Sequence, residues 1–407
     1  MRRLAVLVLV LGALGGVARA EAAGRVATLP GRPGPHWFWL SDILLHRTAL
    51  FDADTGGLLG QISSGTAGVG FVIAPLFAAD HREIYLAETY YARGVRGERT
   101  DVVTVYDATT LQPLAEIGIP PKRGEWFPGN AANALSDDGR FMAVFNLTPA
   151  TSISIVDVKA RAFTAEIGTP GCSLVYAAGP RRFLMLCANG GALSVTIDDA
   201  GHEAKLERLD PFFDAQADPL TEKAVRRGNE WVFVSFEGVV HPVDVGGDAL
   251  RVGDTWSLVD EADRSANWRI GGAQHLAVHA ASGRLYALMH QGGRDTHKEA
   301  GTEVWVYDLA SHRRLQRIKL QNPLASFVGQ ELAAQGRPRT ARATAWLLGH
   351  TAPSPGIERI LVTQDEHPLL IVSASIPPTV TIHDAMTGDF VRDVPEVGIA
   401  SSLLFAP

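Results

Sequence analysis

Cysteine is nearly absent from this chain. Cys172 and Cys187 are the two in 407 residues, so no disulfide framework organises the fold. Long apolar runs are missing too. Past the first twenty residues no segment approaches the roughly 20 uninterrupted apolar residues that a membrane helix requires. Positive charge is in deficit, with 37 Lys and Arg against 44 Asp and Glu, a formal net charge of −7. Such a surface disfavours nucleic acid and anionic lipid; it suits a cationic partner, or serves solubility alone. Chemical signatures are equally scarce. There is no G-x-S-x-G elbow, no P-loop and no H-E-x-x-H. The glycines of Gly65–Val72, GTAGVGFV, fail the dinucleotide spacing. Helical periodicity is rare, and its best candidate is the acidic stretch Ser257–Ala266.

What is present begins with an export signal. Arg2 and Arg3 precede an apolar run from Leu4 to Val17, and Ala18-Arg19-Ala20 is a small-x-small cleavage site. The expectation is a signal peptide over residues 1–20, cleaved after Ala20, and a soluble mature protein in the periplasm. Loss of Arg2, Arg3 and Arg19 makes the mature chain more acidic still. In an oxidising compartment the cysteine pair is expected to form a disulfide, the alternative being two buried thiols.

The rest is a repeat. LFDADTGGLLGQI, VYDATTLQPLAEI, IVDVKARAFTAEI, VTIDDAGHEAKL, PVDVGGDALRV, VYDLASHRRLQRI and IHDAMTGDFVRDV each read as a strand ending in aspartate, a polar turn and a second strand. They carry Asp52, Asp107, Asp157, Asp198, Asp244, Asp308 and Asp384. Between them recurs a polar turn before an apolar strand, as in LSDDGRFMAVFN and HAASGRLYALMHQG. Four short strands per unit, repeated seven times at roughly 50-residue spacing, predict an all-β, seven-bladed β-propeller of the YVTN or WD40-like kind. The aspartates are expected to cap their turns through side-chain to backbone bonds. The strand near His36–Leu40 is expected to complete the blade begun by the C-terminal residues. Residues 321–357 carry no strand pattern and read as an insertion from the sixth or seventh blade.

Candidate ligands are few. His275 and His279 stand four apart in a strand-and-turn context, but two histidines are too few for a closed zinc site. His290 and His297 flank a Gly-Gly turn, and the same holds. The residues alone therefore give no catalytic apparatus, no metal and no cofactor site in this chain.

Several long stretches carry a resemblance. Tyr90–Arg123, ending in PPKR, is one. LTPATSISIVDV, ANGGALSV after Cys187, WSLVDEADRSANWRIGG and HQGGRDTHKEAGTEVWVYDL are the others. Together they resemble the heavy subunit of quinoprotein amine dehydrogenases, over roughly residues 36–320 and 360–407. The aromatic amine dehydrogenase heavy chain looks nearer than the methylamine one, through THK-x-x-x-x-E-V-W-V and PPKR.

That resemblance implies a non-catalytic heavy subunit in a periplasmic α2β2 assembly. The light subunit would carry tryptophan tryptophylquinone, which oxidises a primary amine to aldehyde and ammonia. Electrons would pass to a small copper protein, a cupredoxin. The eight tryptophans here would be packing residues. Two departures stand out. Asp42–Asp52 is shorter than the family's segment that reaches the substrate channel, which leaves Leu44, Leu45 and His46 as the nearest channel candidates. The insertion at 321–357 has no family counterpart. The competing reading is a non-enzymatic periplasmic propeller that binds a partner protein or ligand.

Overall fold

The computed structural model describes residues 28–63, 74–125 and 130–407. The expected signal peptide and the glycine-rich stretch Gly65–Val72 lie outside the described residues. Seven antiparallel sheets form a seven-bladed propeller, one for each of the seven aspartate units. Blade 1 is composite. Ser401–Phe405 is its innermost strand, followed outwards by Trp37–Asp42, Arg47–Asp52 and Leu58–Ser63. Leu40 pairs with Leu404 and Trp39 with Phe405, so the two ends of the chain close the ring. Closure removes the free sheet edges that an open array would expose.

Burial follows strand position. In blade 3 the second and third strands, Phe141–Asn146 and Ser152–Asp157, are buried at every residue. In blade 4 the outer strand, Glu203–Leu209, is largely exposed. The second and third strands are covered on both faces by neighbouring blades, which is why they read as continuous apolar runs. Phe141, Phe145, Ile153 and Ile155 of blade 3 meet Val175, Phe183 and Met185 of blade 4 in one such layer. Each fully buried side chain of this size stabilises by about 1.5–3 kcal/mol.

All seven aspartates cap turns between third and outer strands. Asp107 accepts from the Thr109 and Thr110 amides at 2.9 and 2.7 Å, and Asp157 from those of Lys159 and Ala160. Asp52, Asp198, Asp244, Asp308 and Asp384 accept in the same way. For Asp107 the Thr109 hydroxyl, donating at 2.7 Å, adds the largest share, and with the amides it stabilises the ionised form and holds the carboxyl down at about 2. Because neighbouring strands alternate direction, these turns share one face of the ring. The turns between second and third strands, and the crossings from blade to blade, emerge on the other. That second face carries the long loops.

Residues 321–357, which carry no strand pattern, are largely helical. Three α-helices are described: α1, Glu261–Ser265; α2, Pro323–Ala334; and α3, Pro338–Thr351. The last two form a hairpin between blades 6 and 7. Proline stands in the first turn of each, and Asn322 caps α2 by accepting from the Leu324 amide. The helices approach closely because their contact is made of small residues. A Cβ on Gly329 would lie 3.2 Å from that of Ala345. The helix α1 falls inside the acidic stretch expected to be helical, with Asp260 and Asp263 forming a capping box.

Candidate functional site at the channel mouth

The innermost strands surround a central channel of about 450 Å³, lined by Leu76, Val225, Leu276, Val362 and Leu404 among others. On the loop-rich face it continues into a cavity of about 410 Å³. Lys223, Ala273 and Leu403 line both, so they mark the neck between channel and mouth.

The mouth is built by loops from distant parts of the chain. Ile43 and Leu44 come from the turn after Trp37–Asp42, Ile376 from the turn within blade 7, and Ile399 from the crossing into blade 1. Asp42 fixes two of these loops together. Its buried carboxylate accepts from the amides of Leu44 and Leu45 at 2.9 and 3.0 Å, and from those of Ile399 and Ala400 at 2.6 and 3.0 Å. Burial pushes its pKa up, and the four amides outweigh this, so Asp42 stays below the usual carboxylate range. Gly398 is required beside it. Its φ is +108°, and a Cβ there would lie 2.3 Å from Asp42 Oδ2.

Polar groups occupy the other side. Arg359 is buried; it donates to Ser375 Oγ at 2.9 Å and to the Ser402 carbonyl, and pairs with Glu358 at 3.0 Å. Lys223 pairs with Glu222, and its side chain is only 9% exposed. Burial, with the like charge of Lys298, pushes the Lys223 ammonium down to about 7. Behind it His275 is held neutral. Its Nδ1 faces the Gly272 carbonyl and its Nε2 faces Thr221 Oγ1 at 2.9 Å; burial takes its pKa down to about 3. His297 stacks on Phe236 at 3.4 Å between ring centres.

The residues named from sequence divide here. Leu44 lines the mouth and is 56% exposed. Leu45 and His46 share its turn but do not line the cavity; Leu45 is exposed and His46 sits at φ +48°. His275 and His279 are occupied separately, His279 by Ser282 and the Asp365 carbonyl. His290 bonds to Thr296. Among the described residues no three His, Cys, Asp or Glu side chains gather as a metal site requires. Cys172 and Cys187 are bonded, joining facing residues of the first two strands of blade 4. The tryptophans are not all packing residues: Trp39 and Trp305 are buried, whereas Trp346 on α3 is 64% exposed. Glu222, Lys223, Lys298, Arg359, Ile376 and Ile399 escaped sequence reasoning. Arg359 opens a strand of blade 7, Lys298 ends the THK stretch, and the others sit in crossings and turns; only ring closure brings them together.

The loop-rich face also carries exposed apolar side chains. Leu44, Val95, Leu147, Ile376 and Ile399 all stand on its turns and crossings.

Solved structures share the fold. Dihydro-heme d1 dehydrogenase NirN aligns with a TM-score of 0.54 at 17% identity, covering 100% of this chain and 86% of its own. A protein of Desulfotomaculum acetoxidans aligns at 0.56 and 13%, covering 90% and 98%. At such identities the likeness concerns architecture alone. Sequence relatives are more informative. The methylamine dehydrogenase heavy chain of Paracoccus versutus is 27% identical over 86% of this chain and 73% of its own length. That of Methylophilus methylotrophus is 25% identical over 95% and 87%. The model of the methylamine dehydrogenase heavy chain family matches residues 45–335, most of the repeat region. The chain belongs to that family.

Proposed function

We propose that this chain is the heavy subunit of a periplasmic amine dehydrogenase, and that the light subunit docks over its loop-rich face. The observation that carries the reading is the coincidence of exposed Leu44, Ile376 and Ile399 with the mouth of the central channel. Exposed apolar side chains clustered around a concave opening suit a partner surface. The light subunit's tryptophan tryptophylquinone would supply the electrophilic carbonyl and the two-electron sink that amine oxidation needs and that side chains lack. The heavy chain's part is to seal the pocket against water and shape the way in. Leu44 would form that entrance, with Leu45 and His46 shaping its turn from behind.

Export is supported by the N-terminal segment and by the Cys172–Cys187 bond, which suits an oxidising compartment. The α2β2 assembly and a cupredoxin acceptor are part of the same proposal and rest on the family alone. Within the family, THK at Thr296–Lys298 and PPKR at Pro120–Arg123 favour a preference for aromatic amines. The named relatives are methylamine dehydrogenase heavy chains, so substrate choice has to be measured.

Co-expression tests the reading. The mature chain and the light subunit encoded with it should co-purify as one complex with a quinone absorption band in the visible. Leu44→Asp with Ile399→Asp should abolish co-purification while leaving the heavy chain folded. Co-purification unchanged by this double substitution would place the light subunit elsewhere.

A further inference from the structure

We infer that Cys172–Cys187 is a site of thiol–disulfide exchange at which the bond oxidises an external dithiol, Cys187 being the sulfur attacked and Cys172 the sulfur released.

Arg208 distinguishes the two sulfurs. It reaches over from the outer strand of blade 4, and its Nη1 lies 3.2 Å from Cys172 Sγ and 3.8 Å from Cys187 Sγ. Its Nη2 donates to the Pro170 carbonyl at 2.9 Å. Arg208 has no carboxylate partner among the described residues. A disulfide offers this guanidinium no charge to neutralise, whereas a thiolate does. The cation therefore favours the reduced pair over the bond, and places the negative charge on the nearer sulfur, Cys172.

Both sulfurs line a cavity of about 670 Å³ on the loop-rich face, walled by Leu174, Leu186 and Phe213 among others. Its charged lining residues are Lys298 and Glu222, and Glu222 is paired with Lys223. A thiol thus has a way in, and the one carboxylate of the cavity is already neutralised.

The hairpin holds without the bond. Its two strands pair through their backbones, the Ala188 amide donates to the Gly171 carbonyl at 2.9 Å, and the Cys172 amide to that of Thr169 at 3.0 Å. The bond closes a loop of only 15 residues, so opening it releases little chain entropy.

Exchange runs in two displacements. A thiolate of the dithiol attacks Cys187 Sγ, the S–S bond breaks, and Cys172 leaves as a thiolate beside Arg208. The second thiolate of the dithiol then attacks its own sulfur in the mixed disulfide and releases Cys187. The dithiol loses two electrons and two protons. The cysteine pair gains the two electrons; Cys187 takes up one proton and solvent the other. None of this rests on the amine dehydrogenase reading.

The full mature chain, without denaturant, is treated with dithiothreitol and its thiols are labelled. Both cysteines should label while the cooperative melting transition persists. Equilibration against reduced and oxidised glutathione then compares variants. Arg208→Gln should shift the balance about tenfold toward the disulfide, and Arg208→Lys should return it most of the way. Arg208 is exposed, so both variants should fold. Brief treatment with 2-mercaptoethanol, then alkylation and peptide mass mapping, should find the mixed disulfide on Cys187 and the alkyl group on Cys172. Labelling only once the chain unfolds, a balance unchanged in Arg208→Gln, or the mixed disulfide on Cys172 would each overturn the inference.

Discussion

The Ile399 amide donates to Asp42 Oδ2 at 2.6 Å across 357 residues of sequence. One carboxylate thereby joins the first turn of blade 1 to the last crossing before the C-terminal strand. Ring closure and the shape of the channel mouth depend on the same atom group.

Asp42→Asn should therefore cost more than a surface change. The amide offers one acceptor oxygen where the carboxylate offers two, and turns a donor toward backbone N–H groups. Bonds to a buried charged acceptor contribute about 1.5–3 kcal/mol, and a loss of this order is expected in chemical denaturation. The folded-state pKa is depressed, so this stability is present above the unfolded value and is lost as pH falls through the folded one. Wild type and variant should converge in strong acid. A gap unchanged from neutral to strongly acidic pH would refute the clamp.

Leu44 gives a prediction about specificity. Leu44→Phe narrows the mouth and should shift relative kcat/KM between small and aromatic amines in the assembled enzyme. An apolar wall discriminates by about 1–3 kcal/mol per methylene-scale change. Equal ratios in parent and variant would remove Leu44 from the substrate's path.

The propeller was legible because its repeat is local. Each aspartate turn, such as Asp157 with Lys159 and Ala160, writes its own signature within a few residues. The composite blade was legible too, as the strand near His36–Leu40 does pair with the C-terminal strand. The helical hairpin was not read, although Asn322-Pro323 and Pro338 are start signals. Its Ala and Gly content gives little hydrophobic periodicity, because the helices pack on small residues. Of the residues that line the mouth, Leu44 alone was named from the sequence. Lys223, Lys298 and Ile399 meet through closure of the ring, which no local pattern encodes.

The hairpin itself should be dispensable for folding. Asn322 Nδ2 lies 3.1 Å from the Ala352 carbonyl, so the ends of the segment are adjacent and a short glycine linker can join them. Removing residues 323–352 should leave a soluble protein melting near the parent. The cut must stop before Ile357, which belongs to the core between blades 6 and 7. A variant that expresses only as aggregate would make the hairpin part of the core.

His36 predicts a pH dependence at the opposite face. Burial lowers its pKa, but Asp54 at 2.8 Å and Asp365 at 3.0 Å raise it further, to above 6.5 overall. A raised folded-state value means that its contribution is complete below the unfolded pKa and fades as pH rises through the folded one. In thermal melts His36→Gln should fall furthest behind wild type below the ordinary histidine pKa of about 6.5, with the gap narrowing as pH rises above it. A gap that widens with rising pH would contradict the pairing.

Turnover by the chain with and without its light subunit decides where catalysis resides. The mature chain, purified alone, is mixed with a primary amine and an artificial electron acceptor, and reduction of the acceptor is followed before and after adding the light subunit. No turnover is expected from the chain alone, and turnover is expected on reconstitution. Amine oxidation by the isolated chain would contradict that expectation.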